Sequence, residues 1–223
     1  MAGNTALDNN VVTIAGKVIS NPTFSHEVYG EGFYIVTVEV PRLSDTNDYI
    51  PVMFSERLVS PEKIKENLYL IIEGQFRSYN NYDSTKGHKL MLTVFARELE
   101  IYENEEEVKV KNPNQITLNG FVCRKPVYRT TPFGREIADI LLAVNRAYNK
   151  SDYIPCIAWG RNARFAGTFE VGDNIRIWGR IQSRTYQKKL SDGQVEERVA
   201  YEVSVSKMEV IRENNNKKDE KGD

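Results

Sequence analysis

Asp48-Tyr49-Ile50-Pro51 recurs letter for letter as Asp152-Tyr153-Ile154-Pro155, 104 residues further along the chain. The same offset carries Val12-Thr-Ile-Ala-Gly16 onto Ile116-Thr-Leu-Asn-Gly120, Pro22 onto Pro126, Gly30 onto Gly134 and Arg42 onto Arg146. Gly74-Gln-Phe-Arg-Ser78 answers Gly179-Arg-Ile-Gln-Ser183 at 105 residues, and Leu99-Glu-Ile101 answers Met208-Glu-Val210 at 109. The offset grows only where turns tolerate insertion, so the chain carries a duplicated unit of about 100 residues.

Each copy reads as strands. Val11–Ile19, Phe33–Val40, Tyr49–Phe54, Leu68–Arg77 and Lys89–Tyr102 alternate in polarity or are rich in β-branched and aromatic residues. Their counterparts are Gln115–Val122, Glu136–Asn145, Tyr153–Trp159, Asn174–Ser183 and Arg198–Ile211. Ser60-Pro61-Glu62 supplies an N-cap and a first-turn proline between the third and fourth strands of copy one, and copy two has a looser segment there, Arg161–Phe169. Five strands with one short helix after the third is the order of the OB-fold barrel. The chain is thus expected to be all-β, with two tandem five-stranded OB barrels, each with a short helix between strands 3 and 4. The expected boundaries are 9–103 for the first barrel, 104–113 for an acidic linker and 114–212 for the second barrel, with a disordered tail over 213–223.

The formal net charge of -1 conceals an asymmetry. Residues 1–110 carry 10 Lys and Arg against 17 Asp and Glu, whereas residues 111–212 carry 17 against 10. A net -7 beside a net +7 implies a polyanionic partner for the second half, or attraction between the halves. No stretch of 18 apolar residues exists and no charged-then-apolar leader opens the chain, so a cytoplasmic, nucleoid-associated protein is expected. Cys123 and Cys156 have no CxxC or histidine neighbour, and the two histidines, His26 and His88, are both in copy one. With no nucleophile elbow or phosphate loop either, no catalytic residue, metal or cofactor is expected. Gly30-Glu-Gly32 reads as a hairpin turn.

What remains is a set of aromatics interleaved with cations in copy two. Side chains alternate along a strand, so Ile154, Cys156 and Ala158 share the core parity while Tyr153, Pro155, Ile157 and Trp159 face outward. In the fourth strand Ile175, Ile177 and Ile181 share the core parity with Gly179, and Arg176, Trp178 and Arg180 face outward; Trp178 is expected at an oligomer interface, with DNA contact as the alternative. Around the outward aromatics lie Arg129, Phe133 and Arg135 near the first hairpin, Arg146 and Tyr148 after the second strand, Arg161, and then Arg184, Tyr186, Lys188 and Lys189. Aromatic faces stack on unpaired bases while nearby Arg and Lys neutralise phosphates, which binds single strands with little sequence preference. Copy one is depleted at the matching places: Ser55 stands for Trp159 and Ser44 for Tyr148. It keeps Tyr49, Tyr79, Tyr82 and Arg42 as weaker candidates, so copy one reads as a weak binder or as a scaffold and oligomerisation half.

Gln115-Ile-Thr-Leu-Asn-Gly120, the Tyr153–Trp159 strand, Val171-Gly-Asp-Asn through Trp178-Gly-Arg-Ile-Gln-Ser-Arg184, and the closing Tyr201-Glu-Val-Ser-Val-Ser resemble the bacterial single-stranded DNA-binding protein family. The resemblance implies base stacking at Tyr148, Tyr153, Trp159 and Tyr186. It also implies assembly of four OB folds, hence a homodimer of this two-barrel chain. The family's apolar C-terminal tip has no counterpart in Asn216–Asp223, so recruitment of other proteins through the tail is not expected. A primosome-type accessory OB protein acting through protein contacts and an RNA-binding OB protein also fit these residues, because stacking does not read the 2′-hydroxyl.

Overall fold

The computed structural model describes residues 9–44, 46–83, 87–189 and 193–212, with the side chains of 80–83 and 87–89 outside the description. The tail over 213–223 and the side chain of Tyr82 therefore lie outside the described residues. The first half forms β1 (Asn10–Val18), β2 (Thr23–Val28), β3 (Glu31–Pro41), β4 (Asn47–Ser55), β5 (Tyr69–Asp83) and β6 (Gly87–Tyr102). The second half repeats the order as β7 (Asn114–Val122), β8 (Val127–Thr130), β9 (Glu136–Arg146), β10 (Lys150–Trp159), β11 (Asn174–Lys189) and β12 (Val195–Val210). No helix among the described residues is long and apolar enough to cross a membrane.

Five strands of each half close on themselves. β1 pairs with β3 and β5, β3 with β4, β5 with β6, and β4 runs parallel to β6, which completes the ring. The second half reproduces this ring with β7, β9, β10, β12 and β11. These are two OB barrels, with β2 and β8 added as short outer strands that the sequence reading left in loops. The Tyr29-Gly30 turn between β2 and β3 has φ of 49° and 75°, which is the two-residue hairpin that Gly30 implied. Closure demands glycine where strands cross. A Cβ on Gly74 would lie 2.1 Å from the Phe95 carbonyl oxygen, and one on Gly179, its repeat mate, 2.2 Å from that of Ser204. Alternation fills the interiors: Ile154, Cys156, Ala158, Ile175, Ile177 and Ile181 are all buried, as their parity required.

Both short helical segments lie where expected, between the third and fourth core strands, but they differ in kind. Ser60-Pro61-Glu62 starts only a three-residue 3-10 turn, Pro61–Lys63, and the Ser60 side chain makes no capping bond. In the second half the α-helix α1 occupies Arg161–Ala166, within the expected segment. Ala163, Ala166 and the following Phe169 are buried there, so tertiary packing rather than a cap holds that helix.

The halves join edge to edge. β1 pairs antiparallel with β7, aligning Val12 with Ile116, Asn10 with Leu118 and Ile14 with Asn114, so that one 12-stranded sheet runs through the chain. Val12 and Ile116 are repeat mates, and each flanking pair joins one residue to its neighbour's mate. The two barrels are therefore related by a local two-fold axis through this strand pair.

That axis exchanges two buried aspartates, and each reaches into the other half. Asp48 is fully buried; its Oδ1 accepts the Ser183 amide at 2.8 Å, and its Oδ2 accepts Nη1 of Arg180 at 2.9 Å. Arg42 closes on both oxygens at 2.8 and 2.5 Å. The Ser183 hydroxyl in turn accepts the Tyr49 amide at 2.9 Å. On the other side Asp152 Oδ1 accepts the Ser78 amide at 2.8 Å, and the Ser78 hydroxyl accepts the Tyr153 amide at 2.8 Å. The repeated Asp-Tyr-Ile-Pro word and the repeated serine are the two sides of one clasp, used twice.

Asp48→Ala leaves two guanidinium groups without their buried carboxylate, which should cost about 3–5 kcal/mol. Asp152, with one arginine at 3.6 Å, should cost less when replaced. Urea denaturation at equal slope for both variants measures the difference, and a loss below about 1 kcal/mol for Asp48→Ala contradicts the clasp.

Candidate nucleic-acid interface

β9 and β10 form the ribbon that presents the aromatic residues. Register pairs Trp159 with Ile137, Ile157 with Asp139, Pro155 with Leu141 and Tyr153 with Ala143, so these eight side chains share the outer face. Trp159 is 39% exposed and Tyr153 49%, with Ile137 and Ile157 buried between and beneath them. The two aromatics are six positions apart, about 20 Å along the strand. β8 adds Arg129 opposite Ile137, and its Nε donates to Asp139 Oδ2 at 3.0 Å. The face thus combines an apolar floor, two accessible rings and a cation at its rim.

Two turns and one arm flank this face. The β9–β10 turn holds Tyr148 and Asn149 at φ of 61° and 54°, and Tyr148 is 95% exposed. A bulky aromatic in the left-handed region, projecting into solvent, buries nothing in return for its backbone cost. The β8–β9 turn carries Phe133 and Arg135, both exposed, and is closed by the Thr131 amide on the Arg135 carbonyl at 2.8 Å. In the β11–β12 hairpin, residues 184–189 are exposed. Arg184 lies 5.9 Å from the Tyr186 ring centroid, with Arg198 directly across from Tyr186 and Lys188 and Lys189 beyond it. Arg161 follows Gly160 on α1, next to Trp159.

Three arginines singled out from the sequence lie against the buried aspartates. Arg42 is bound to Asp48 in the clasp, and Arg146 lies 3.6 Å from Asp152. Arg180 spans the halves to Asp48; its parity was legible, its partner 132 residues away was not. Trp178 is partly exposed on the opposite face of the sheet from the barrel interior, with Lys207 Nζ 4.3 Å from its ring centroid.

The first half fills the matching face with its own side chains. His26 stacks on Phe33 at 5.0 Å and 10°, Phe33 meets Phe95 at 6.0 Å, and the Arg77 guanidinium lies 3.8 Å from the Phe95 centroid. Burial lowers the Arg77 pKa to about 10, with the charge of Arg146 acting in the same direction. Ser55, at the Trp159 position, donates its hydroxyl to Glu31 and accepts the Arg57 amide at 3.1 Å. Tyr49 is exposed and Tyr79 is half-buried, its phenol pushed up by desolvation.

No group of three or more His, Cys, Asp or Glu side chains suited to a metal occurs among the described residues. Cys156 sits in the second barrel's core, where desolvation drives its thiol pKa far up, and the partly exposed Cys123 is raised for the same reason.

Barrel order, exposed rings and rim cations define a two-barrel OB protein with one open face. Residues 113–211 match the Single-strand binding protein family. Single-stranded DNA-binding protein 2 of Listeria innocua is 36% identical over 87 residues, which is 36% of this chain and 54% of that protein. Single-stranded DNA-binding protein B of Bacillus subtilis is 31% identical over 83 residues, 34% of this chain and 74% of that protein. Among solved structures, a deletion mutant of the single-stranded DNA binding protein from Thermus aquaticus superposes with a TM-score of 0.72 at 19% identity, covering 94% of this chain and 98% of that one. The chain belongs to the single-strand binding protein family, and it spans about half the length of the first curated relatives it matches.

The two cysteines report on the packing beneath this face. At pH 8 a thiol reagent should modify Cys123 slowly and leave Cys156 untouched, and both should react in denaturant. Equal native rates would mean that the β10 core is open.

Proposed function

We propose that this protein binds single-stranded DNA with little sequence preference and protects it during replication, recombination or repair. The observation that carries the reading is the outer face of β9 and β10, where Trp159 and Tyr153 stand exposed over an apolar floor with Arg129 at the rim. Tyr148, Tyr186, Phe133 and the cations Arg135, Arg161, Arg184, Lys188 and Lys189 extend this surface. Stacked bases supply energy without reading sequence, and the cations hold the backbone. The relatives are named for the same activity. The first barrel is the lesser binder, because His26, Phe33, Phe95 and Arg77 occupy its face and Ser55 replaces the tryptophan. No catalysis is assigned to the chain. Two barrels per chain fit a homodimer that presents four.

The test is a titration of the full chain with oligo-dT, duplex DNA and RNA of equal length. Oligo-dT should bind far more tightly than duplex, and affinity should fall by about 0.7 log units per log unit of salt for each phosphate contacted. Trp159→Ala should cost about 1–3 kcal/mol, and Ser55→Ala almost nothing. Equal affinity for duplex and single strand would sink the stacking argument, and equal losses at Trp159 and Ser55 would remove the division between the barrels.

A further inference from the structure

The two clasps are built alike but neutralised differently. At Asp48 the guanidiniums of Arg42 and Arg180 both close on the carboxylate, at 2.5 and 2.9 Å. At Asp152 the repeat sets Arg146 in the place of Arg42, but Arg180-Ile-Gln182 becomes Gln75-Phe-Arg77. The second arginine is therefore shifted two residues along β5. Its Nε and Nη2 donate to Gln75 Oε1 at 3.2 and 2.9 Å, and among the described residues it forms no ion pair. Arg146 comes no closer to Asp152 than 3.6 Å.

Both arginines line one pocket of about 580 Å³ at the seam between the halves. Register places Tyr79 opposite Met91 and Arg77 opposite Thr93 on the outer face of the first barrel, with Met53 beside Phe95. The pocket thus has a cationic end and an apolar wall, which is the make-up of a site for a small anion that carries a ring. The cations are costly where they stand. Burial, and then the charge of Arg146, lower the Arg77 pKa to about 10, and an anion between the two relieves that cost.

We propose that this pocket binds a nucleotide carrying a phosphate monoester, with its phosphate on Arg77 and Arg146 and its base against Tyr79, Met91 and Met53. The inference goes beyond the single-strand reading and does not rest on it. A phosphate monoester carries about two charges at neutral pH, which matches two guanidiniums; an internal phosphodiester of a strand carries only one. The planar guanidinium fork takes phosphate oxygens in pairs, and thioether and phenol side chains pack on a ring. A free nucleotide and the 5′-terminal nucleotide of a phosphorylated strand share this chemistry.

Calorimetric titration of the DNA-free full chain tests this, with deoxyadenosine monophosphate, deoxyadenosine, and oligo-dT ending in a 5′-phosphate or a 5′-hydroxyl. The monophosphate should bind at one site per chain and deoxyadenosine about tenfold more weakly or worse, the loss of charge-assisted hydrogen bonds. Arg77→Gln should weaken the monophosphate about tenfold and leave hydroxyl-ended oligo-dT within about twofold. Trp159→Ala should do the reverse. Met91→Trp fills the ring slot while keeping both arginines, and it should also abolish monophosphate binding; unchanged oligo-dT affinity shows that each variant folds. Monophosphate binding that Arg77→Gln removes assigns the pocket to free nucleotides. A preference for 5′-phosphorylated oligo-dT that Arg77→Gln removes assigns it to strand ends. The proposal is overturned if neither occurs, if deoxyadenosine binds as tightly as its monophosphate, or if Arg77→Gln weakens hydroxyl-ended oligo-dT as much as the monophosphate.

Discussion

A carboxylate buried without compensation is among the costliest groups a protein interior can hold, and two aspartates are buried among the described residues. Asp48 and Asp152 are tolerated because each receives an amide hydrogen from a serine in the opposite half and lies against arginine. The consequence is architectural. Neither aspartate is satisfied by its own half alone, because Asp48 also takes the Ser183 amide and Arg180, and Asp152 the Ser78 amide, so the two barrels specify one relative placement rather than a range. The β1–β7 pairing adds to this by consuming an edge that each barrel would otherwise offer to another chain. The molecule behaves geometrically as a dimer whose subunits have been fused.

Fusion released the halves from identity. In a true homodimer every substitution appears twice, but here Trp159 has been kept on one side and Ser55 on the other. The face built on β3 and β4 is stabilised internally by His26, Phe33, Phe95 and Arg77, which leaves it little open ring surface. The face built on β9 and β10 leaves its rings open. The charge split of -7 against +7 follows the same division.

Much of this was legible in the sequence for simple reasons. A two-residue side-chain period reveals which residues enter a barrel, and Ile154, Cys156, Ala158, Ile175, Ile177 and Ile181 obeyed it. The repeat also showed itself, because the closing glycines and the clasp residues tolerate almost no substitution. The partner of each aspartate was not legible, since Asp48 and Ser183 are 135 residues apart and nothing local to either names the other. Arg42 read as a phosphate ligand for the same reason. Both helical segments lie between the third and fourth core strands as expected, but their strength was not legible: Ser60-Pro61 is a strong local start that yields only a 3-10 turn, whereas α1 is held by burying Ala163, Ala166 and Phe169. Local signals lost to packing there.

The central claim is that nucleic acid lies across the second barrel's open face and largely avoids the first. Ultraviolet crosslinking of oligo-dT to the full chain, followed by peptide mass spectrometry, tests it most directly. The account predicts adducts at Trp159, Tyr153 and Tyr186, with Tyr148 joining them, and few or none in residues 9–103. Adducts of equal yield at Tyr49 and Tyr79, or adducts concentrated at Trp178 on the opposite face, would contradict it.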